Sequence, residues 1–157
     1  MTQRVELATV MDRLAVDELI TDYARAVDDA DWASYEGLFV AEGRADYRSA
    51  GGIEGRVGEV AVWLAESMAL FGMRQHLIVN RRVSFGQREQ DLGDTARVEA
   101  DYVNPMRFAG GESSATVPDF VAGGRYVFAL LRTYDGWRFA GVVVEEKWRR
   151  LAERGLS

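Results

Sequence analysis

Apolar residues at Val16, Leu19, Ile20, Tyr23, Ala24 and Val27 recur at the three- and four-residue spacing of a helix that buries one stripe. Thr9, with Asp12 three residues on, resembles a capping start for that helix. The acidic run Asp28-Asp29-Ala30-Asp31 closes it. Asp31 is placed to cap a short second helix carrying Trp32, Tyr35, Leu38 and Phe39. Ala45, Tyr47 and Ser49 then alternate with Arg44, Asp46 and Arg48, which predicts a short strand over 44–49. Gly51, Gly52 and Gly55 mark a turn. Beyond it Val57, Val60, Ala61, Leu64, Met68 and Phe71 form the stripe of a third helix over about 57–71.

The second half of the chain alternates with the two-residue period of strands. Strands are predicted near 75–85, 95–108, 125–134 and 137–146. Turn signals separate them at Gly86, at Leu92-Gly93-Asp94, over a loop at 110–124, and at Asp135-Gly136. Helices first and a strand meander afterwards imply an α+β fold, with the helices on one face of the sheet. A strongly curved sheet under helices leaves a cavity between the layers, where a ligand would sit. No repeat or Pro- and Ser-rich linker divides the 157 residues, which read as one domain over 1–157 with its core at about 9–148.

Bulk composition narrows the function. An apolar fraction of 48% and a charged fraction of 28% are those of a folded globular chain. Net charge is −6, and the arginines are interleaved with acids, as in Arg44-Ala45-Asp46 and Glu145-Glu146-Lys147. Phosphate-binding surfaces need concentrated positive charge, so nucleic acid is not an expected partner. There is no cysteine, which excludes disulfides, thiolate nucleophiles and thiolate metal sites. No stretch approaches the roughly 20 apolar residues that span a bilayer. The start lacks the basic segment and apolar run of a signal peptide, so a cytoplasmic location is expected by default.

His76 is the chain's single histidine, and imidazole is the side chain best poised to move protons near neutral pH. One histidine does not build a catalytic zinc site, which uses about three protein ligands, so no metal is expected. Asp28 shares a helical row with Ile20 and Ala24 at the edge of the buried stripe, near the negative end of the helix dipole. A carboxylate there either turns to water beside Asp29 or needs a partner inside the fold. A histidine would be a natural one, since a carboxylate on one ring nitrogen frees the other as a base. Tyr23 lies on the buried stripe and Tyr47 on the less charged face of its strand. Tyr102 and Asn104 fall on the inward set of their strand, with Ala96, Val98, Ala100, Met106 and Phe108, while Thr95, Arg97, Glu99 and Asp101 read outward. Trp32, Trp63, Met68 and Phe71 are candidates for an apolar wall. The facing of His76 itself is ambiguous. It alternates with Ile78, Asn80 and Arg82 against Leu77, Val79, Val83 and Phe85, and the second set is the greasier. Either His76 points outward or both faces of its strand are covered.

The stretches Tyr23-Ala-Arg-Ala-Val-Asp28-Asp-Ala-Asp-Trp32, Leu38-Phe39 and Gln75-His76-Leu-Ile-Val-Asn80, with the hairpin Tyr134-Asp-Gly-Trp137-Arg-Phe139, resemble the SnoaL-like branch of the nuclear transport factor 2-like superfamily. The resemblance extends over about residues 12 to 148. It implies a cone-shaped, curved antiparallel or mixed sheet wrapped around N-terminal helices, a cystatin-like α+β barrel. It also implies an inward His76, a buried outer face and hence a homo-oligomer, dimer or trimer. Scytalone dehydratase, bile-acid 7α-dehydratase and hexachlorocyclohexane dehydrochlorinase, members of this superfamily, use an aspartate at the end of the first helix and a histidine on the sheet, and need no cofactor. Asp28 and His76 match those positions, and Tyr23 matches the tyrosine five residues before the aspartate. Val142 stands where the dehydrochlorinase has an arginine, and the second histidine of scytalone dehydratase has no counterpart.

The function so implied is a cofactor-independent lyase performing a dehydratase-type elimination on a hydrophobic cyclic molecule such as a polyketide, steroid or terpenoid. His76, Asp28 and Tyr23 would be catalytic, and Tyr47, Tyr102, Asn104, Trp32 and Asn80 would touch the substrate. An isomerase or epoxide-opening cyclase in the same pocket, or a non-catalytic small-molecule-binding domain, are the alternatives.

Overall fold

No Gly or Pro interrupts the start of the chain, and helix α1 runs over Gln3–Asp28, beginning ahead of the expected cap at Thr9. The structure, a computed structural model, describes residues 3–111 and 116–152, with side chains from residue 6 onward. The ends of the expected 1–157 domain, and residues 112–115 within the expected 110–124 loop, lie outside the described residues. Thr9 Oγ1 accepts a hydrogen bond from Arg88 Nη2 at 2.9 Å. Asp12 is a buried acid and not part of a capping box. Its carboxylate accepts from Arg132 Nη2 at 2.7 Å and from the Trp137 indole N–H at 3.2 Å. The predicted stripe is buried throughout, from Val16 to Val27.

Helix α2 (Trp32–Gly37) is capped by Asp31, whose Oδ1 accepts from the Ser34 N–H at 3.1 Å. It stops before Phe39, which opens strand β1 (Phe39–Asp46) instead of extending the helix. The cause is tertiary. Phe39 lies in register with Phe139, and the Phe139 N–H donates to the Leu38 C=O at 2.8 Å. Tyr47 therefore stands just past its strand, at the start of a 3-10 turn over Arg48–Ala50. After β2 (Glu54–Arg56), helix α3 (Val57–Met68) ends short of Phe71, which begins β3 (Phe71–Arg74). Strands β4 (Leu77–Phe85), β5 (Thr95–Phe108), β6 (Phe120–Thr133) and β7 (Gly136–Leu151) complete the chain. Both β6 and β7 are longer than their periodicity predicted.

The strands form one curled, mixed sheet in the order β2-β1-β7-β6-β5, with β3 and β4 both on the far edge of β5. Pairing of β1 with β7 is parallel and the other pairings are antiparallel. The inward residues of β5, β6 and β7 meet those of α1 and α3 in the core, as Val98, Phe128, Phe139, Val16 and Val60 illustrate. This is an α+β half-barrel with its helices inside the curl. No helix among the described residues is long and apolar enough to cross a membrane.

A bulge in β4 resolves the ambiguity over His76. Leu77, Ile78 and Val79 oppose Val103, Tyr102 and Asp101, but from Arg82 onward the pairing is offset by one residue. Asn80 adopts φ +52° there, a left-handed conformation that asparagine tolerates. The extra residue swaps the faces. Ile78 is buried before the bulge, and Val83 and Phe85 pack on the core after it, whereas Leu77 and Val79 are half exposed. The greasy face read from simple alternation is two half-faces on opposite sides. An inward His76 thus needs no covered outer face.

Candidate active site

Strands β3 and β4 share one register along β5, and Gln75 and His76 interrupt them. The Gln75 N–H donates to the Pro105 C=O at 3.1 Å, and proline has no N–H to return. Because the Gln75 N–H points at β5, the next N–H, that of His76, points away from β5 to the open edge of the sheet. There it donates to both carboxylate oxygens of Asp28 at 3.0 Å each. The imidazole Nδ1 lies 2.6 Å from Asp28 Oδ1. These side chains are 6% and 19% exposed for His76 and Asp28 respectively.

Arg74 locks the arrangement from the other side. Its Nη2 donates to the Asp28 C=O at 2.9 Å, at the carbonyl end of α1 where a cation is favoured. Its Nη1 donates to the carbonyls of Met68 and Phe71, tying the end of α3 to the same corner. Asp28, placed at the edge of the buried stripe, therefore meets the one histidine across 48 positions of sequence. Nδ1–H toward the carboxylate leaves Nε2 as the acceptor, and no described residue hydrogen-bonds it.

His76 lines a cavity of about 250 Å³ between the helices and the sheet. Tyr23, Tyr47, Tyr102 and Asn104 line it too, as do Trp63, Met68 and Phe71 on the apolar side. The Tyr47 hydroxyl is a hub, hydrogen-bonded to Tyr23 and, at 3.0 Å, to Tyr35. Burial raises the pKa of Tyr23 and of Tyr47 well above the ordinary phenol value, and the charge of neighbouring tyrosines adds to the rise. Burial likewise raises Tyr35, Tyr102 and Tyr126. The cluster stays protonated at neutral pH and can donate. Asn104 Oδ1 is buried without a partner and borders the cavity.

Two expected substrate contacts sit elsewhere. Trp32 does not line the cavity; its ring packs edge-on against Tyr35 outside it. Asn80, carried outward by the bulge, donates from Nδ2 to Asp101 Oδ2 at 3.1 Å. Conversely, Tyr126, Glu146 and Arg149 line the cavity without having been singled out. Alternation along β6 and β7 would have indicated Tyr126 and Glu146. Arg149 had no such signal, because a bulge at Lys147 changes the face of everything after it. Among the described residues no cluster of three or more His, Asp or Glu side chains could hold a metal ion.

The chain is similar to known proteins in sequence and in fold. An uncharacterized protein of Mycobacterium tuberculosis H37Rv is 31% identical over 134 residues, spanning 85% of this chain and 84% of the relative. The hexachlorocyclohexane dehydrochlorinase LinA-type3 of Novosphingobium barchaimii superposes with a TM-score of 0.75 at 16% identity, covering 99% and 97% of the two chains. A Novosphingobium aromaticivorans protein named for scytalone dehydratase superposes with a TM-score of 0.70 at 14% identity, over 99% of each chain. At those identities the likeness shows a shared fold. Residues 8–143 match the SnoaL-like domain, and the chain belongs to that family.

Proposed function

We propose that the cavity is the active centre of a lyase that eliminates water from a hydrophobic cyclic substrate without a cofactor. His76 Nε2 takes the proton from a carbon beside a carbonyl. The C–H electron pair becomes the new C=C bond and the C–O bond to the hydroxyl breaks. The imidazolium returns its proton to the departing oxygen, so water leaves and the neutral ring is restored. Asp28 holds the ring in the required tautomer and stabilises the imidazolium. Tyr23 and Tyr47 donate hydrogen bonds to the substrate's oxygens as charge builds on them, where fixed donors are most effective. Asn104 Oδ1, an acceptor that is costly to bury unpaired, is satisfied by a hydroxyl of the substrate. The protein's part in this C–O cleavage is to move protons, and this chain's own residues do so.

The observation carrying this reading is the 2.6 Å contact of His76 Nδ1 with Asp28 at the wall of the cavity. The family's dehydratase- and dehydrochlorinase-named neighbours support it. Incubation with cyclic β-hydroxyketones, followed by mass spectrometry, is expected to give a product lighter by one water. His76→Ala and Asp28→Ala should each lower turnover by ~10²–10⁴ while leaving the fold intact. Full activity in either variant refutes the mechanism. A product of unchanged mass would indicate isomerisation in its place.

A further inference from the structure

Strand β7 carries a bulge that reshapes the end of the cavity away from Asp28. Gly124 opposes Glu146 but Gly123 opposes Trp148, so Lys147 is the extra residue. Without it, Glu146 and Trp148 would share the inner face and Arg149 would face out. With it, Glu146 and Arg149 both turn inward, three residues apart, and pair. The Arg149 Nε lies 3.1 Å from each oxygen of Glu146, and Nη2 donates to Oε2 as well. Two glycines opposite make room. A Cβ on Gly124 would stand 2.0 Å from the Glu145 carbonyl oxygen, and one on Gly123 would stand 2.3 Å from the Trp148 ring.

The pair stands in a fixed relation to His76. His76 faces Asn104, between the Leu77–Val103 pair and the Gln75–Pro105 hydrogen bond. Asn104 pairs with Ala122, and Ala122 with Arg149. One inward row thus runs His76, Asn104, Ala122, Arg149 across the sheet, and all four line the cavity. Strands lie about 4.8 Å apart, so three steps separate the first and last Cα by about 14 Å along the sheet. The curl of the sheet and the inward reach of both side chains shorten the gap between the polar groups.

We infer that Glu146 and Arg149 are a second polar pole that recognises a neutral hydroxyl on a fused two-ring substrate, at the end remote from His76. The inference rests on the elimination proposed above and specifies its substrate. A hydroxyl both donates and accepts, as the pair requires: Glu146 accepts, and Arg149 Nη1 makes no hydrogen bond to a described residue and can donate. The pair is neutral as a whole, and a carboxylate in that place would meet the charge of Glu146. The cavity, at about 250 Å³, is smaller than the ~300–1,000 Å³ common for drug-sized ligands, which favours two rings over a larger polycycle. Glu146 and Arg149 also hold the 3-10 turn. The Glu146 N–H donates to Ser49 Oγ at 2.8 Å and Arg149 Nη2 to the Ala50 C=O at 3.2 Å. A test must separate that role from recognition.

Calorimetric titration with 2-naphthol, naphthalene-2,6-diol and 6-hydroxy-2-naphthoate does so. The diol should bind about tenfold more tightly than 2-naphthol, the worth of one well-formed hydrogen-bonded contact. The hydroxynaphthoate should show no such gain. In Glu146→Gln and in Arg149→Met the diol's advantage should fall below about twofold, with 2-naphthol affinity kept. Equal affinity for diol and 2-naphthol in the wild type overturns the inference. So does a parallel loss of both probes in the variants, which marks the pair as a pin for the turn, and so does failure of both to bind. His76→Ala should weaken 2-naphthol. If it does not while the diol's gain persists, the second pole stands and the proton-transfer reading fails.

Discussion

Helix α1 carries two acids, Asp12 in its first half and Asp28 at its last residue, that turn from solvent toward the sheet. Asp12 meets Arg132 at 2.7 Å and the Trp137 indole at 3.2 Å, and Arg132 also reaches Asp94 at 3.2 Å. Asp28 meets His76. Both satisfy the rule that a buried carboxylate needs a partner. The partners differ in what they can do afterwards. A guanidinium does not release its proton in a protein, so the first cluster can only hold elements together. An imidazole can both take up and release a proton, so the second can pass one on. The surroundings follow suit, for the Arg132 guanidinium sits over the Trp137 ring, 4.7 Å from its centre, whereas His76 borders open volume. The identity of the base opposite an acid, and the space beside it, separate a structural pair from a chemical one.

Breaking each pair should therefore have opposite signatures. His76→Ala, with its loss of ~10²–10⁴ in turnover, should hardly move the urea midpoint. Arg132→Met should do the reverse, costing about 3 kcal/mol in urea unfolding by stranding Asp12 and Asp94, with kcat of the folded fraction kept. A comparable stability loss in both variants would erase the contrast.

Acid sharpens the comparison next. Burial alone would raise the carboxyl of Asp94, but hydrogen bonds from the Glu89 N–H and the Arg132 guanidinium outweigh it and hold the group below its ordinary value. A lowered folded-state value stabilises fully above the unfolded value of about 4, and that stability is lost as pH falls through the folded one. Urea midpoints followed from about pH 6 to about pH 2 should fall for the wild type and fall less steeply for Asp94→Asn. The smallest effect is expected at Tyr47, which joins two other tyrosines but carries no charge. Tyr47→Phe should cost about 1 kcal/mol in thermal unfolding.

How much of this was legible beforehand varies from residue to residue. Asp28 was readable because a carboxylate at the edge of an apolar stripe is conspicuous, and Tyr23, Tyr102 and Asn104 because unbroken periodicity placed them inward. The helical placement of Phe39 failed because an apolar doublet fits a helix end or a strand start equally well, and pairing with β7 decided it. Asn80 and Arg149 were misplaced or missed for one shared reason. Each lies at or after a bulge, and a single inserted residue reverses the parity on which strand-face assignments depend.

The sequence by itself determined the helix stripes, the inward set of β5, the cap at Asp31 and the family. These depend on neighbours a few positions apart, and a chain displays such spacing before it folds. Only the tertiary structure decided that Asp28 and His76 touch, that β1 runs parallel to β7, and that Glu146 and Arg149 face the cavity together. Those outcomes depend on which backbone groups are left out of the ladder, at His76, Asn80 and Lys147. Ladder hydrogen bonds form between segments far apart in the chain, so no local pattern encodes where they lapse.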